Sequence, residues 1–150
     1  KAKFLAHLSH GCLGWALSAL ADDNVLKQRA QRVNKLSSLL TADLEERFGY
    51  ARELAVQLSQ DRRFVAEVME TWLSLWRDLM LLKLGCKEAI TNVDYEATLG
   101  KQTKILSLSQ IREFLADLRL IREGISKNAN PRLAFESLML NIPKGGTSDG

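Results

Sequence analysis

The stretch Arg62–Leu84, RRFVAEVMETWLSLWRDLMLLKL, decides the fold of this chain. Apolar side chains recur in it at intervals of three and four residues and surround it almost completely, which predicts a helix in the middle of a bundle. Asp61 is placed to cap the start of this helix, and Gly85 is placed to end it. Because Trp72 and Trp76 lie one turn apart, we expect both rings in the core, with an anchor for a protein partner as the alternative.

The rest of the chain is also predicted to be helical, because it has no proline before residue 131 and is rich in residues that favour helices. No strand alternation interrupts the pattern, and we predict an all-α bundle of seven to eight helices. The other predicted helices are Ala2–Ser9, Leu13–Ala21, one from Asp22 or Asp23 to Leu40, one from Thr41 or Asp43 to Ser59, Asp94–Leu106, Gln110–Lys127 capped by Ser109, and Pro131–Ile142 capped by Asn130.

The composition is that of one globular domain: 150 residues, 46% of them apolar and 26% charged. Cys12 and Cys86 are too few for the disulfide framework of a small secreted protein, and no signal-peptide pattern is present, which predicts a cytoplasmic location. The longest apolar stretch, Thr71–Gly85, contains three charged residues and is shorter than the ~20 residues that cross a bilayer. We therefore expect no association with a membrane.

The net charge of +3 is spread evenly over the two halves of the chain. One local bias remains, a run of basic residues with no acidic residue among them: Lys27, Arg29, Arg32 and Lys35. Such a run could contact the phosphates of DNA, and a solvated helix face is the alternative explanation.

Motifs that carry chemistry are missing. The chain has no Walker phosphate loop, no Gly-x-Ser-x-Gly turn and no Glu-x-x-His pair. His7, His10 and Cys12 form a cluster of soft ligands, but a structural zinc site needs four ligands. We therefore predict no catalytic residue, no metal, no cofactor and no small-molecule substrate.

Three runs of sequence resemble, in this order, the C-terminal third of the bacterial DNA polymerase III delta-prime subunit: Leu8–Leu17 (LSHGCLGWAL), Trp76–Gly85 (WRDLMLLKLG) and Asn128–Leu140 (NANPRLAFESLML). The resemblance covers residues 1 to 143. It implies a piece of a clamp loader, the five-subunit assembly related to AAA+ ATPases that opens the sliding clamp and places it on primed DNA. The tau/gamma subunit is the closest alternative.

The resemblance also implies a domain organisation. Residues 1–21 would be the end of a helical lid domain, and residues 22–143 would be a collar domain that packs against the collars of neighbouring subunits. In ATP-hydrolysing relatives an arginine occupies the second helical sensor, whereas Gly14 stands at the aligned position here. Residues 145–150 are Gly, Thr, Ser and Asp, and we expect residues 144–150 to form a mobile tail.

The final predicted helix is apolar on both sides, with Leu133 and Leu140 as well as Phe135 and Met139. This is more apolar surface than one small core needs, which indicates a protein partner. With the resemblance, the expected function is subunit assembly without catalysis. The expected partners are the tau/gamma and delta subunits, with Leu133 and Leu140 at the interface and DNA reached only through the whole complex.

Overall fold

The computed structural model describes residues 23–127 and 130–143, and these residues form no strand. They form six α-helices: α1 (Asp23–Ser38), α2 (Leu44–Gln60), α3 (Arg62–Lys83), α4 (Glu96–Thr103), α5 (Leu108–Ser126) and α6 (Pro131–Asn141). Short 3-10 turns lie at Lys87–Ala89 and Val93–Tyr95. The all-α prediction is confirmed, and these six helices are fewer than the seven to eight predicted for the whole chain. The predicted helices Ala2–Ser9 and Leu13–Ala21, and the predicted tail 144–150, lie outside the described residues.

Side chains cap the helices at most of the predicted positions. The Asp43 carboxylate accepts a hydrogen bond from the Glu46 N–H at 2.8 Å, and the Asp61 carboxylate accepts one from the Phe64 N–H at 3.1 Å. Asn130 caps α6 ahead of its proline, again as predicted. These short polar side chains therefore set where α2, α3 and α6 begin.

The predicted cap of α5 was wrong by two residues. The cap is Ser107, whose hydroxyl accepts from the Gln110 N–H at 3.1 Å, while the Gln110 side chain accepts from the Ser107 N–H at 2.9 Å. This reciprocal capping box satisfies two backbone donors, one more than a cap at Ser109 alone would satisfy. The helix predicted over Asp94–Leu106 is also shorter, because residues 93–95 form a 3-10 turn before α4.

The central helix ends as its sequence predicts. Gly85 has a φ of +82°, a conformation that favours glycine, and its N–H donates to the Leu82 carbonyl at 3.1 Å. The Cys86 N–H donates to the Leu81 carbonyl at 2.8 Å. The two bonds form a Schellman motif, which satisfies carbonyls at the end of α3.

The core is built around α3, which contacts α1, α2, α4 and α5. Trp72 and Trp76 are buried, and both rings pack against the buried ring of Phe114 on α5. The ring centroids of Trp72 and Phe114 are 5.7 Å apart with an edge-on geometry, and those of Trp76 and Phe114 are 4.5 Å apart. The prediction that both tryptophans belong to the core is confirmed. α6 packs on α2 and α5 and completes the bundle.

Replacing one of these rings by a charge should unfold the domain. We expect Trp76→Glu to lower the free energy of unfolding by several kcal/mol, because it removes the contact with Phe114 and buries an unpaired carboxylate. Leu120→Glu on the exposed side of α5 is the matched control and should leave the unfolding transition nearly unchanged. Urea titration followed by circular dichroism measures both, and an unaltered midpoint for Trp76→Glu would contradict a core role.

The burial of Tyr50 makes the stability of the domain depend on pH in the alkaline range. Burial is the main reason that the pKa of Tyr50 rises to about 12, with the Glu53 charge adding to the effect and Arg32 opposing it. Between pH 10 and pH 12 the unfolded tyrosine loses its proton while the folded one keeps it, so stability falls as the pH rises. We expect Tyr50→Phe to abolish about 2 kcal/mol of this loss. Unfolding free energies of both proteins across that range provide the test, and parallel curves would refute it.

Candidate subunit interface

The outer face of α6 carries the two leucines that the sequence marks as interface residues. Leu133 and Leu140 are 63% and 59% exposed, while Phe135 and Leu138 are fully buried on the opposite side of the helix. Seven residues separate the two leucines, which is two helical turns or about 10 Å along the axis. They therefore form one apolar stripe that points away from the core of this chain. We call Leu133 and Leu140 the α6 stripe.

The helix α2 packs beside α6 and carries a further exposed apolar residue, Leu44. Pro131, at the start of α6, borders the same shallow depression as Ala55 and Leu58 near the end of α2, so the two helices run antiparallel. Leu44, an exposed residue at the start of α2, therefore lies toward the end of α6 that carries Leu140.

The predicted basic run lies on α1, and most of it is engaged within the domain. Arg29 pairs with Asp94, and the Arg32 guanidinium is 3.5 Å from a Glu67 carboxylate oxygen. The Lys35 ammonium lies 5.2 Å from the centre of the Tyr50 ring, and Lys27 is exposed to solvent. The charges of both arginines are thus compensated by carboxylates. A contact between these four residues and DNA stays a prediction.

A buried polar cluster, which the sequence did not reveal, lies beside the central helix. Asp78 on α3 is fully buried, and its carboxylate accepts from the Thr91 N–H at 3.0 Å and from the Asn92 N–H at 2.7 Å. The Asn92 side-chain amide also donates to this carboxylate at 2.7 Å and to the Ser74 hydroxyl at 3.0 Å. These bonds compensate for removing the charge from water. The cluster fastens the loop after α3 to the middle of the bundle.

One sequence signal pointed toward this cluster. Asp78 stands in an otherwise apolar part of α3, so its carboxylate needs a polar partner within the fold, in solvent or in another subunit. The partners turn out to be backbone and side-chain groups of residues 91 and 92, about fourteen positions later in the chain. Helical spacing carries no information about such a contact.

The described part of the chain holds no group of three or more His, Cys, Asp or Glu side chains placed to bind a metal ion. His7, His10 and Cys12 lie outside the described residues. None of the described helices is long and apolar enough to cross a membrane. The described surface also exposes other apolar residues, such as Val56, Leu84 and Leu120, and Leu133 and Leu140 differ from these in lying on one side of one helix. The class of protein is an all-α domain with apolar residues on its surface.

The family model described as DNA polymerase III, delta subunit, C terminal, matches residues 25–144. The chain belongs to this family: it is the C-terminal domain of a clamp-loader subunit of DNA polymerase III, a non-catalytic component of that assembly. A search of the curated proteins and a search of the solved structures gave no match. Association with other clamp-loader subunits follows from membership of the family.

Removing the buried carboxylate should destabilise the domain strongly. Asp78→Ala leaves two backbone N–H groups and the Asn92 amide without their acceptor, and we expect a loss of about 3 kcal/mol or more. Glu88→Ala, an exposed carboxylate in the same loop, should change stability by less than about 0.5 kcal/mol. Chemical denaturation of the two variants tests this, and equal stabilities would show that the cluster is not an anchor.

Proposed function

We propose that this chain is the collar domain of a delta-prime subunit, and that it holds this subunit in the pentameric ring of the clamp loader. The observation that carries the proposal is the α6 stripe, two exposed leucines on a helix whose other side is already buried. Burying a leucine side chain against a partner contributes about 1.5–3 kcal/mol. Two such residues supply the energy of a small hot spot.

Features of the sequence favour delta-prime over the tau/gamma subunit. The run Asn128–Leu140 resembles delta-prime more than tau/gamma, and its helical part contains the α6 stripe. Gly14 stands where ATP-hydrolysing relatives carry the arginine of the second helical sensor. A subunit that does not use nucleotide through this motif has no need of that arginine.

In this proposal residues 1–21 end a helical lid domain and residues 22–143 are the collar. The chain itself performs no reaction, since ATP binding and clamp opening belong to other parts of the assembly. The partners are the collars of the tau/gamma and delta subunits, and DNA is reached only through the complete loader. A cytoplasmic location goes with a role in replication.

The test changes the α6 stripe and measures binding. Leu140→Asp and Leu133→Asp should each weaken the complex with tau/gamma or delta by about tenfold or more, because a carboxylate cannot be buried there without a partner. Leu120→Asp is the control, since Leu120 is 66% exposed on α5, outside the α6 stripe. Titration of the purified subunits measures the dissociation constants, and the circular dichroism of each variant should match that of the parent.

Two results would overturn parts of this proposal. Full binding by both α6 variants would place the interface on another face of the domain. If the full-length subunit that contains this chain carries an intact Gly-Lys-Thr phosphate loop and hydrolyses ATP, then it is tau/gamma rather than delta-prime.

A further inference from the structure

The two halves of α1 are attached to the bundle in different ways. The second half is held by apolar packing, because Val33 and Leu36 are buried in the core, as is Leu39 just beyond its end. Residues 24–32 of the first half include no buried residue. Something other than apolar packing has to hold this part of the helix in place.

Arg29 attaches the first half of α1 to the loop after α3. One terminal nitrogen of its guanidinium donates to an Asp94 carboxylate oxygen at 3.0 Å, and the other donates to the Asn92 side-chain oxygen at 2.5 Å. The guanidinium carbon lies 5.4 Å from the centre of the Tyr95 ring. The Arg29 side chain is only 11% exposed, and its bond to Asn92 is partly buried, whereas Asp94 is 35% exposed. A planar fork that binds two acceptors and stacks on a ring fixes both position and direction.

The acceptor side of this contact is itself immobilised. The side-chain amide of Asn92 donates to Asp78 and to Ser74 on α3, which leaves its oxygen pointing toward Arg29. Asn92, Ser74 and Asp78 are all buried. Hydrogen bonds therefore connect α1 to the middle of the bundle through Arg29, Asn92 and Asp78.

An open cleft separates the first half of α1 from α3. It has a volume of about 640 Å³, and polar side chains such as Gln28, Thr71 and Arg77 line it. Because no residue of positions 24–32 is buried, little buried apolar contact opposes a change in the angle of the helix. The Arg29 contact crosses one side of the cleft and resists that change.

We propose that Arg29 is a positioning residue that fixes the direction in which the chain enters the collar. This inference rests on the proposed function in one respect, that the residues before α1 belong to a separate lid domain. The direction of the first half of α1 is then set by the Arg29 guanidinium and the buried cluster behind it. Without Arg29, the first half of α1 changes its angle over the cleft, while residues 33–39 stay packed in the core.

The experiment uses the complete chain without partner subunits, so its outcome does not depend on whether α6 binds a neighbour. Spin labels on Cys12 and on the exposed Cys86 report the distance between the segment before α1 and the loop after α3. Arg29→Gln should broaden this distance distribution, and it should speed amide hydrogen exchange of residues 24–32 about tenfold while residues 33–39 keep their protection. Lys27→Gln is the matched control, an exposed cation in the same part of the helix, and should retain the distribution of the parent.

Asp94→Asn provides a second variant that keeps Arg29 and its bond to Asn92. It removes one charged acceptor and should broaden the distribution less than Arg29→Gln does. An unaltered distribution in Arg29→Gln would overturn the proposal. Faster exchange over the whole of α1, including residues 33–39, would also overturn it, because Arg29 would then stabilise the helix rather than position its first half.

Discussion

The buried carboxylate of Asp78 is the constraint on which much of this structure depends. The central helix is apolar on nearly all sides, so the one acidic group that it buries cannot reach water and has to be satisfied by the protein. The loop after α3 supplies the donors, and it is held close to the helix in consequence. The side-chain oxygen of Asn92 in turn accepts a hydrogen bond from Arg29 on α1. A single desolvated charge thus holds a loop and, through Asn92 and Arg29, the first half of α1, which has no buried residue of its own.

The packing around α3 explains why the α6 stripe is exposed to solvent. The tryptophans of α3 are covered by α5, and the remaining sides of α3 are covered by α1, α2 and α4. α6 packs on α2 and α5 and buries Phe135 and Leu138 there, so its leucines on the opposite side have no core left to enter. An apolar face that stays outside a completed bundle stabilises association rather than folding. The family belongs to an assembly of several subunits, and we propose that the α6 stripe is one of the surfaces at which they meet.

Local patterns in the sequence predicted what local physics determines. The class of fold, the core position of Trp72 and Trp76 and the exposure of the α6 stripe follow from helical periodicity, and the caps at Asp43 and Asp61 follow from short-range hydrogen bonding. The start of α5 was misjudged because two nearby serines compete as caps and only the partner at Gln110 decides between them. The partners of Arg29 were not predictable, because Asn92 and Asp94 follow it by more than sixty positions. The partners of Asp78 lie in a loop, about which helical spacing carries no information.

The basic run on α1 shows why a charge pattern alone is a poor guide to a ligand. In the sequence its four cations form one group, but the structure gives them different environments: both arginines face carboxylates of the same domain, whereas Lys27 is exposed to water. The difference follows from chemistry, since the planar guanidinium group tolerates partial burial and binds two acceptors, while an ammonium group is strongly hydrated. The two arginines therefore form the contacts within the domain. Their helix, α1, is remote in sequence from the α6 stripe. In the two proposals, binding through the α6 stripe and the direction of the first half of α1 depend on separate residues, so a substitution can change either one without changing the other.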